Sequence, residues 1–194
     1  MSISPRQLEI IEAAGHLITA DGFSALTTKR LAERMEFSEA ALYRHFKSKE
    51  DILIKMVQHF AADMEQRLSI IARSQPNPEK RIKAMFDSQF AFFNKNPHYL
   101  LAIFATDMLD RSAKVDDAIM ALMLTKRKFL NKAIKEGQEQ GSFISHISAG
   151  TLAHIVMGTF RLHMLKWRMA ARGFDVARKG RPLITAVLSL IKEP

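Results

Sequence analysis

A chain of 194 residues with 47% apolar side chains can bury one sizeable core, or a small module beside a larger one. It has no cysteine, which excludes a disulfide scaffold and thiolate metal sites, and no run of 18 apolar residues that could span a membrane. The net charge of +9 is unevenly spread: seven Lys/Arg meet six Asp/Glu in residues 1–49, fourteen meet twelve in 50–149, and eight meet two in 150–194. Charge by itself is therefore a weak argument for nucleic acid.

Apolar positions recur at three and four residues throughout, which predicts an all-α protein of about nine helices. The opening Met-Ser-Ile-Ser-Pro-Arg lacks the basic-then-apolar order of a signal peptide, so the expected location is cytoplasmic, with no membrane association. The first helix is predicted over Pro5 to Ala20, capped by Ser4 and closed by Asp21-Gly22. Phe23 and Leu26 fold back toward Ile10, Leu17, Leu31, Leu42 and Phe46. Next come two short helices, Thr28 to Met35 and Glu39 to Phe46. They are joined by Glu36-Phe37-Ser38, with Ser38 able to cap the second. The second keeps Leu42 and Phe46 inward and leaves short or hydrogen-bonding residues elsewhere, the pattern of a helix-turn-helix whose second helix lies in a major groove.

A long fourth helix starts after Ser48 and runs to about Arg73. It joins the first module, residues 1–48, to a regulatory and dimerisation domain, 49–194. The break Ser74-Gln75-Pro76-Asn77-Pro78 precedes a fifth helix over Glu79–Asn94. A sixth carries Leu100, Leu101, Phe104 and Met108, a seventh runs from Val115 to Glu139, and an eighth from Ser148 to about Arg172. The last is expected after Pro182.

With its flanks Ala13-Ala14 to Gly22-Phe23, Thr27-Thr28, Leu31-Ala32, Phe37-Ser38, Leu42-Tyr43-Arg44-His45-Phe46 and Lys49-Glu50, the stretch from Pro5 to Leu53 resembles the TetR family of bacterial transcriptional regulators. One position departs: the family usually has Gly in the turn, where this chain has Glu36. A non-glycine residue with positive φ is strained by roughly 1 kcal/mol or more.

In the reading helix, Arg44 can pair with guanine, Ala40 and Ala41 can meet thymine methyls, and Glu39 can accept from a cytosine amino group. Tyr43, His45 and Lys49 are candidate phosphate contacts, in line with the resemblance. Thr28 offers donors at a helix start, and Thr27, Lys29 and Ser38 complete the expected DNA-binding set. Tyr43 and His45 have a rival reading as packing residues between helices one and four.

One such helix buries too little surface for specific affinity, so a homodimer on a palindromic operator is expected. The resemblance places the interface in the last two helices. Gly158 and Thr159 permit close approach there, beside Leu152, Ile155, Leu162 and Leu165, with Leu183, Val187, Leu188 and Ile191 on the final helix.

The thirteen Phe and eleven Met concentrate in helices five to seven. They are either ordinary core or the lining of the apolar effector cavity that the resemblance implies. The candidates are Phe86, Phe90, Phe93, Phe104, Met108, Met123, Met157 and Phe160, with His154 and Arg161 as polar anchors. The basic run Lys166, Arg168, Arg172, Arg178, Lys179 and Arg181 reads as a solvated loop, with an acidic partner or helix-end compensation as alternatives.

No catalytic motif, cofactor site or metal-ligand spacing is present. The expectation is a repressor that is not an enzyme, is associated with the nucleoid, and is released from DNA by a small apolar effector. The alternatives are a helix-turn-helix protein whose C-terminal domain engages a protein partner, and a hydrophobic-ligand module without DNA function.

Overall fold

The computed structural model describes residues 3–104 and 113–193. These form α1 (Pro5–Asp21), a 3-10 turn (Phe23–Ala25), α2 (Thr28–Arg34), α3 (Glu39–Tyr43), α4 (Lys49–Ser74), α5 (Pro78–Lys95), α6 (Pro97–Phe104), α7 (Ala113–Glu139), α8 (Ala149–Met169) and α9 (Val176–Leu190). Among the described residues extended pairing is limited to an isolated bridge between Phe143 and Lys192. The chain is all-α.

Contacts divide it into two compact units, residues 1–62 with 96–122, and residues 63–95 with 123–194. In the first, Ile10, Ile11, Leu17, Leu26, Leu31, Leu42, Phe46, Ile52 and Met56 are all buried. Side-chain caps set where the helices begin. Ser4 and Gln7 form a reciprocal capping box: the Gln7 amide donates to Ser4 Oγ at 3.2 Å and the Ser4 amide to Gln7 Oε1 at 3.1 Å. Ser48 Oγ accepts from the Asp51 amide at 3.1 Å, while Asp51 reaches back to the amide of Lys47 at 3.0 Å. His98 of α6 packs on Gly15 of α1 so closely that a Cβ at Gly15 would lie 2.6 Å from its ring.

In the second unit α9 packs on α5 and α8. Its helix begins at Val176, earlier than the expected start after Pro182. Asp175 Oδ1 accepts from the amides of Ala177 and Arg178, which caps the helix and starts it six residues before that proline. Pro182 sits in the exposed helical interior, where it removes one backbone bond. Burial of Gly180, Ile184, Val187 and Leu188 holds the helix through that point. Helix α8 ends at Met169, short of the expected Arg172, because Ala171 and Arg172 take positive φ of 46° and 64°. Trp167 Nε1 donates to the Phe174 carbonyl at 2.9 Å and pins this reversal.

Candidate nucleic-acid interface

Thr27 caps α2, its hydroxyl accepting from the Arg30 amide at 3.2 Å, and Ser38 caps α3 through the Ala41 amide at 3.2 Å. Between the two helices the chain reverses in a Schellman arrangement. The Phe37 amide donates to the Ala32 carbonyl at 2.9 Å and the Glu36 amide to the Glu33 carbonyl at 3.2 Å. That motif needs a left-handed residue, and Glu36 supplies it with φ of 56°. The departure from glycine noted in the sequence therefore leaves the turn intact and strains it.

Leu42 and Phe46 are buried and fix the roll of α3. The regular helix is shorter than the expected Glu39–Phe46 span. After Tyr43 the chain tightens, with the His45 amide donating to the Leu42 carbonyl at 3.0 Å. This roll leaves Glu39, Ala40 and Arg44 exposed, Tyr43 half exposed at 50%, and Ala41 partly covered. Lys29 is exposed on α2.

The remaining candidates are more committed to the fold. Thr28 Oγ1 donates to the Glu39 carboxylate at 3.0 Å, tying the start of α2 to the start of α3. His45 is half buried and stacks on Phe37 with ring centroids 6.5 Å apart, and its carbonyl accepts from Gln7 Nε2 at 3.0 Å. Lys49 lays its ammonium over the Phe23 ring, 4.6 Å from the centroid, and burial lowers its pKa. Tyr43 thus has the exposure a phosphate contact requires, whereas His45 is half taken up by packing. The sequence reading missed Gln7. Its side chain serves both the cap of α1 and the end of α3, and its place three residues after Ser4 was the available signal.

The second unit brings part of the expected effector set together. Phe160 lies 5.2 Å from Phe86 and 5.4 Å from Phe90, centroid to centroid, and all three are buried. Phe93 is buried, and Met123 and Met157 are half buried. Phe104 is buried in the first unit, and Met108 lies outside the described residues. The two expected polar anchors are exposed. His154 and Arg161 are both on the exposed face of α8, because Leu152, Ala153, Val156, Phe160 and Met164 set which side of the helix is buried. Polar groups that do face inward include His163, whose Nε2 sits 2.8 Å from the Val176 carbonyl, Gln89, Arg81 and the half-buried Lys126, whose ammonium lies against Phe160 and Phe86.

The expected dimer set also divides. Leu152, Val187, Leu188 and Ile191 are buried within their own chain, where they hold α8 and α9 in place. Ile155, Gly158, Leu162 and Leu183 are exposed, and Thr159 and Leu165 are half buried. Met169 and Leu190, absent from that set, add two strongly exposed apolar side chains. In the basic run, Arg181 is paired with Asp87 at 2.7 Å and Lys179 lies over the Phe174 ring.

Residues 10–56 match the family of bacterial regulatory proteins of the tetR type, and residues 53–190 match the C-terminal region of YsiA-like proteins. The nucleoid occlusion factor SlmA of Vibrio vulnificus is 28% identical over 134 residues, covering 69% of this chain and 68% of that one. The fatty acid degradation regulator FadR of Bacillus halodurans superposes with a TM-score of 0.86 at 18% identity, over 97% of both chains. FadR of Bacillus subtilis, solved in complex with stearoyl-CoA, gives a TM-score of 0.81 at 17% identity, over 95% of this chain and 98% of that one. At such identities the two structures speak for the fold. The sequence matches across the helix-turn-helix and the helical region behind it settle the family: this chain belongs to the TetR family of DNA-binding transcriptional regulators.

Proposed function

We propose that the protein is a repressor that grips a palindromic operator as a homodimer and lets go when a small apolar effector enters its C-terminal half. Residues 1–48 are the reading module and 49–194 the regulatory and dimerisation domain. The observation that carries the reading is the outward surface of α3: Ala40, Arg44 and Tyr43 stand free while Leu42 and Phe46 lock the helix from beneath. Arg44 reads guanine, the two alanines meet thymine methyls, and Tyr43 and Lys29 contact phosphates. Thr27 and Ser38 act there through their helix starts, since their hydroxyls already cap them. His45 and Lys49 serve as backbone contacts only at the edge of the interface.

Dimerisation is assigned to the apolar strip of α8 and α9, with Ile155, Leu162 and Leu183 exposed beside Gly158. Helix α4 is unbroken from Lys49 to Ser74, so a shift of its second half reaches the end of the reader. The effector must bind the released state better, and a coupling of about 1–3 kcal/mol is typical of such switches. The buried Phe86, Phe90 and Phe160 support an apolar site. The stearoyl-CoA in the B. subtilis relative supports an acyl-bearing effector.

The test is a gel shift on DNA from the protein's own promoter. Arg44→Ala is expected to weaken binding about 5- to 150-fold, from about 1–3 kcal/mol for a paired base contact, and Tyr43→Ala to weaken it by less, as the loss of a phosphate contact. Unchanged binding in both would remove α3 as the reader. A second reading, in which the C-terminal half engages a protein partner, is favoured by the similarity to a nucleoid occlusion factor. DNA binding that no acyl compound releases would select it.

A further inference from the structure

Two donors in the second unit, one half buried and one buried, lack acceptors. Lys126 on α7 points its ammonium at aromatic faces, 3.4 Å from the Phe160 centroid and 4.8 Å from that of Phe86. Among the described residues no carboxylate or other acceptor partners it. Burial holds it well below the usual lysine range. Gln89 on α5 is 1% exposed, and its Nε2 has no hydrogen-bond partner. Both side chains line one void of about 10 Å³, whose other walls are Leu68, Met85, Phe86 and Leu130.

A neighbouring cation shows how this fold treats such a group when it is structural. Arg81, which is buried, is ion-paired with Glu136 and donates to the carbonyls of Gln75 at 2.7 Å and Pro76 at 3.0 Å. A half-buried ammonium and a buried amide left open in an otherwise apolar pocket are unfavourable to folding. They become favourable when a ligand supplies the oxygens.

We propose that Lys126 and Gln89 form the polar end of the effector site, and that they hold the acyl oxygens of an otherwise apolar molecule, the carboxylate of a fatty acid or the carbonyl of its thioester. This rests on the effector reading above and names the chemistry of that site. The apolar tail continues along Met85, Phe86 and Leu130. The void is too small for a ligand as it stands. Entry therefore turns Lys126 off the Phe160 ring and moves the flexible Met85 aside. The same replacement of ring contacts by oxygen contacts is what shifts α5 against α7.

The experiment measures binding of dodecanoate, dodecanoyl-CoA and 1-dodecanol to the full-length protein by calorimetry, for wild type, Lys126→Met and Gln89→Leu. Both substitutions keep roughly the side-chain volume and remove an unpartnered polar group, half buried at Lys126 and buried at Gln89. The variants are therefore expected to melt at or above the wild-type temperature, so that lost binding is not lost folding. Wild type is expected to prefer at least one acyl compound over the alcohol by about tenfold or more, and each variant to erase that preference. Loss on dodecanoate assigns the free acid, and loss confined to dodecanoyl-CoA assigns the thioester. Equal affinity for alcohol and both acyl compounds in wild type, or a preference that survives both substitutions, overturns the proposal. Operator release is followed separately by gel shift. Ligand that binds through Lys126 without releasing DNA would defeat the repressor reading and leave this one standing.

Discussion

Glu36→Gly is expected to stabilise this protein, and the size of the gain follows from one backbone angle. Glu36 occupies the position after the cap of α2 with φ of 56°. Both Schellman hydrogen bonds, from Phe37 to Ala32 and from Glu36 to Glu33, require that left-handed turn. An L-residue in this region is strained by about 1–2 kcal/mol, which glycine relieves. Glycine also loses more conformational freedom on folding, which returns about 0.4–1 kcal/mol. The net expectation is about 0.5–1 kcal/mol in favour of the variant. For a chain of this length that is roughly 1–4 °C in melting temperature. Removing the carboxylate from a helix C-terminus adds a few tenths of a kcal/mol by itself. Glu36→Ala serves as the reference, because alanine loses the charge and keeps the strain. The comparison is made by urea and thermal unfolding of the three proteins side by side. A Glu36→Gly variant no more stable than Glu36→Ala would refute the strain argument.

Three further outcomes are expected. Gly180→Ala places a Cβ 2.3 Å from Phe90 Cζ and 2.9 Å from His163 Nε2, which disturbs the bond from that ring to the Val176 carbonyl. Urea unfolding should show a loss of about 1–3 kcal/mol, and a wild-type midpoint would refute the packing. His98 is depressed below the ordinary histidine range by burial, against the pull of Glu12 and with the push of His16. The unfolded chain therefore binds the proton first as pH falls. Stability should be full above the ordinary histidine pKa and decline below it, until the folded pKa is reached, by at most about 1.4 kcal/mol per pH unit. His98→Gln should flatten that slope in urea midpoints taken across pH, and identical slopes would exclude His98 as the source. Glu39→Gln removes a charge held by Thr28 at the DNA-facing start of α3. Non-specific DNA affinity should rise several-fold at low salt while discrimination between operator and random DNA falls; an unchanged ratio would mean Glu39 faces no base.

The helix-turn-helix was legible because its signals are local. The cap at Ser38, the inward pair Leu42 and Phe46, and short residues between them act within a few positions of one another, and the structure repeats them. The starts of α4 and α5 were legible for the same reason. The proline in α9 misled because its penalty is local and its compensation is not. Asp175 starts the helix early, and contacts of Gly180 and Ile184 with other helices hold it past Pro182.

Side-chain direction on the C-terminal helices was harder to read. His154 and Arg161 were credible anchors by residue type, yet they lie on the outside of α8. Lys126 is followed by Arg127 and Lys128, both exposed, and residue type alone does not set it apart from them. Its spacing of four from both Leu122 and Leu130, each buried, was the sign that it faces inward. Which of Leu152, Ile155, Leu162, Leu183, Val187 and Leu188 are covered depends on how α8, α9 and α5 pack, and apolar residues that serve a core or an interface look alike in sequence. Sequence alone thus determined the family, the all-α class and the reading motif, since each depends on short-range periodicity and capping. The tertiary structure decided the inward polar pair and the free apolar strip, because burial on a helix is set by neighbours distant in the chain.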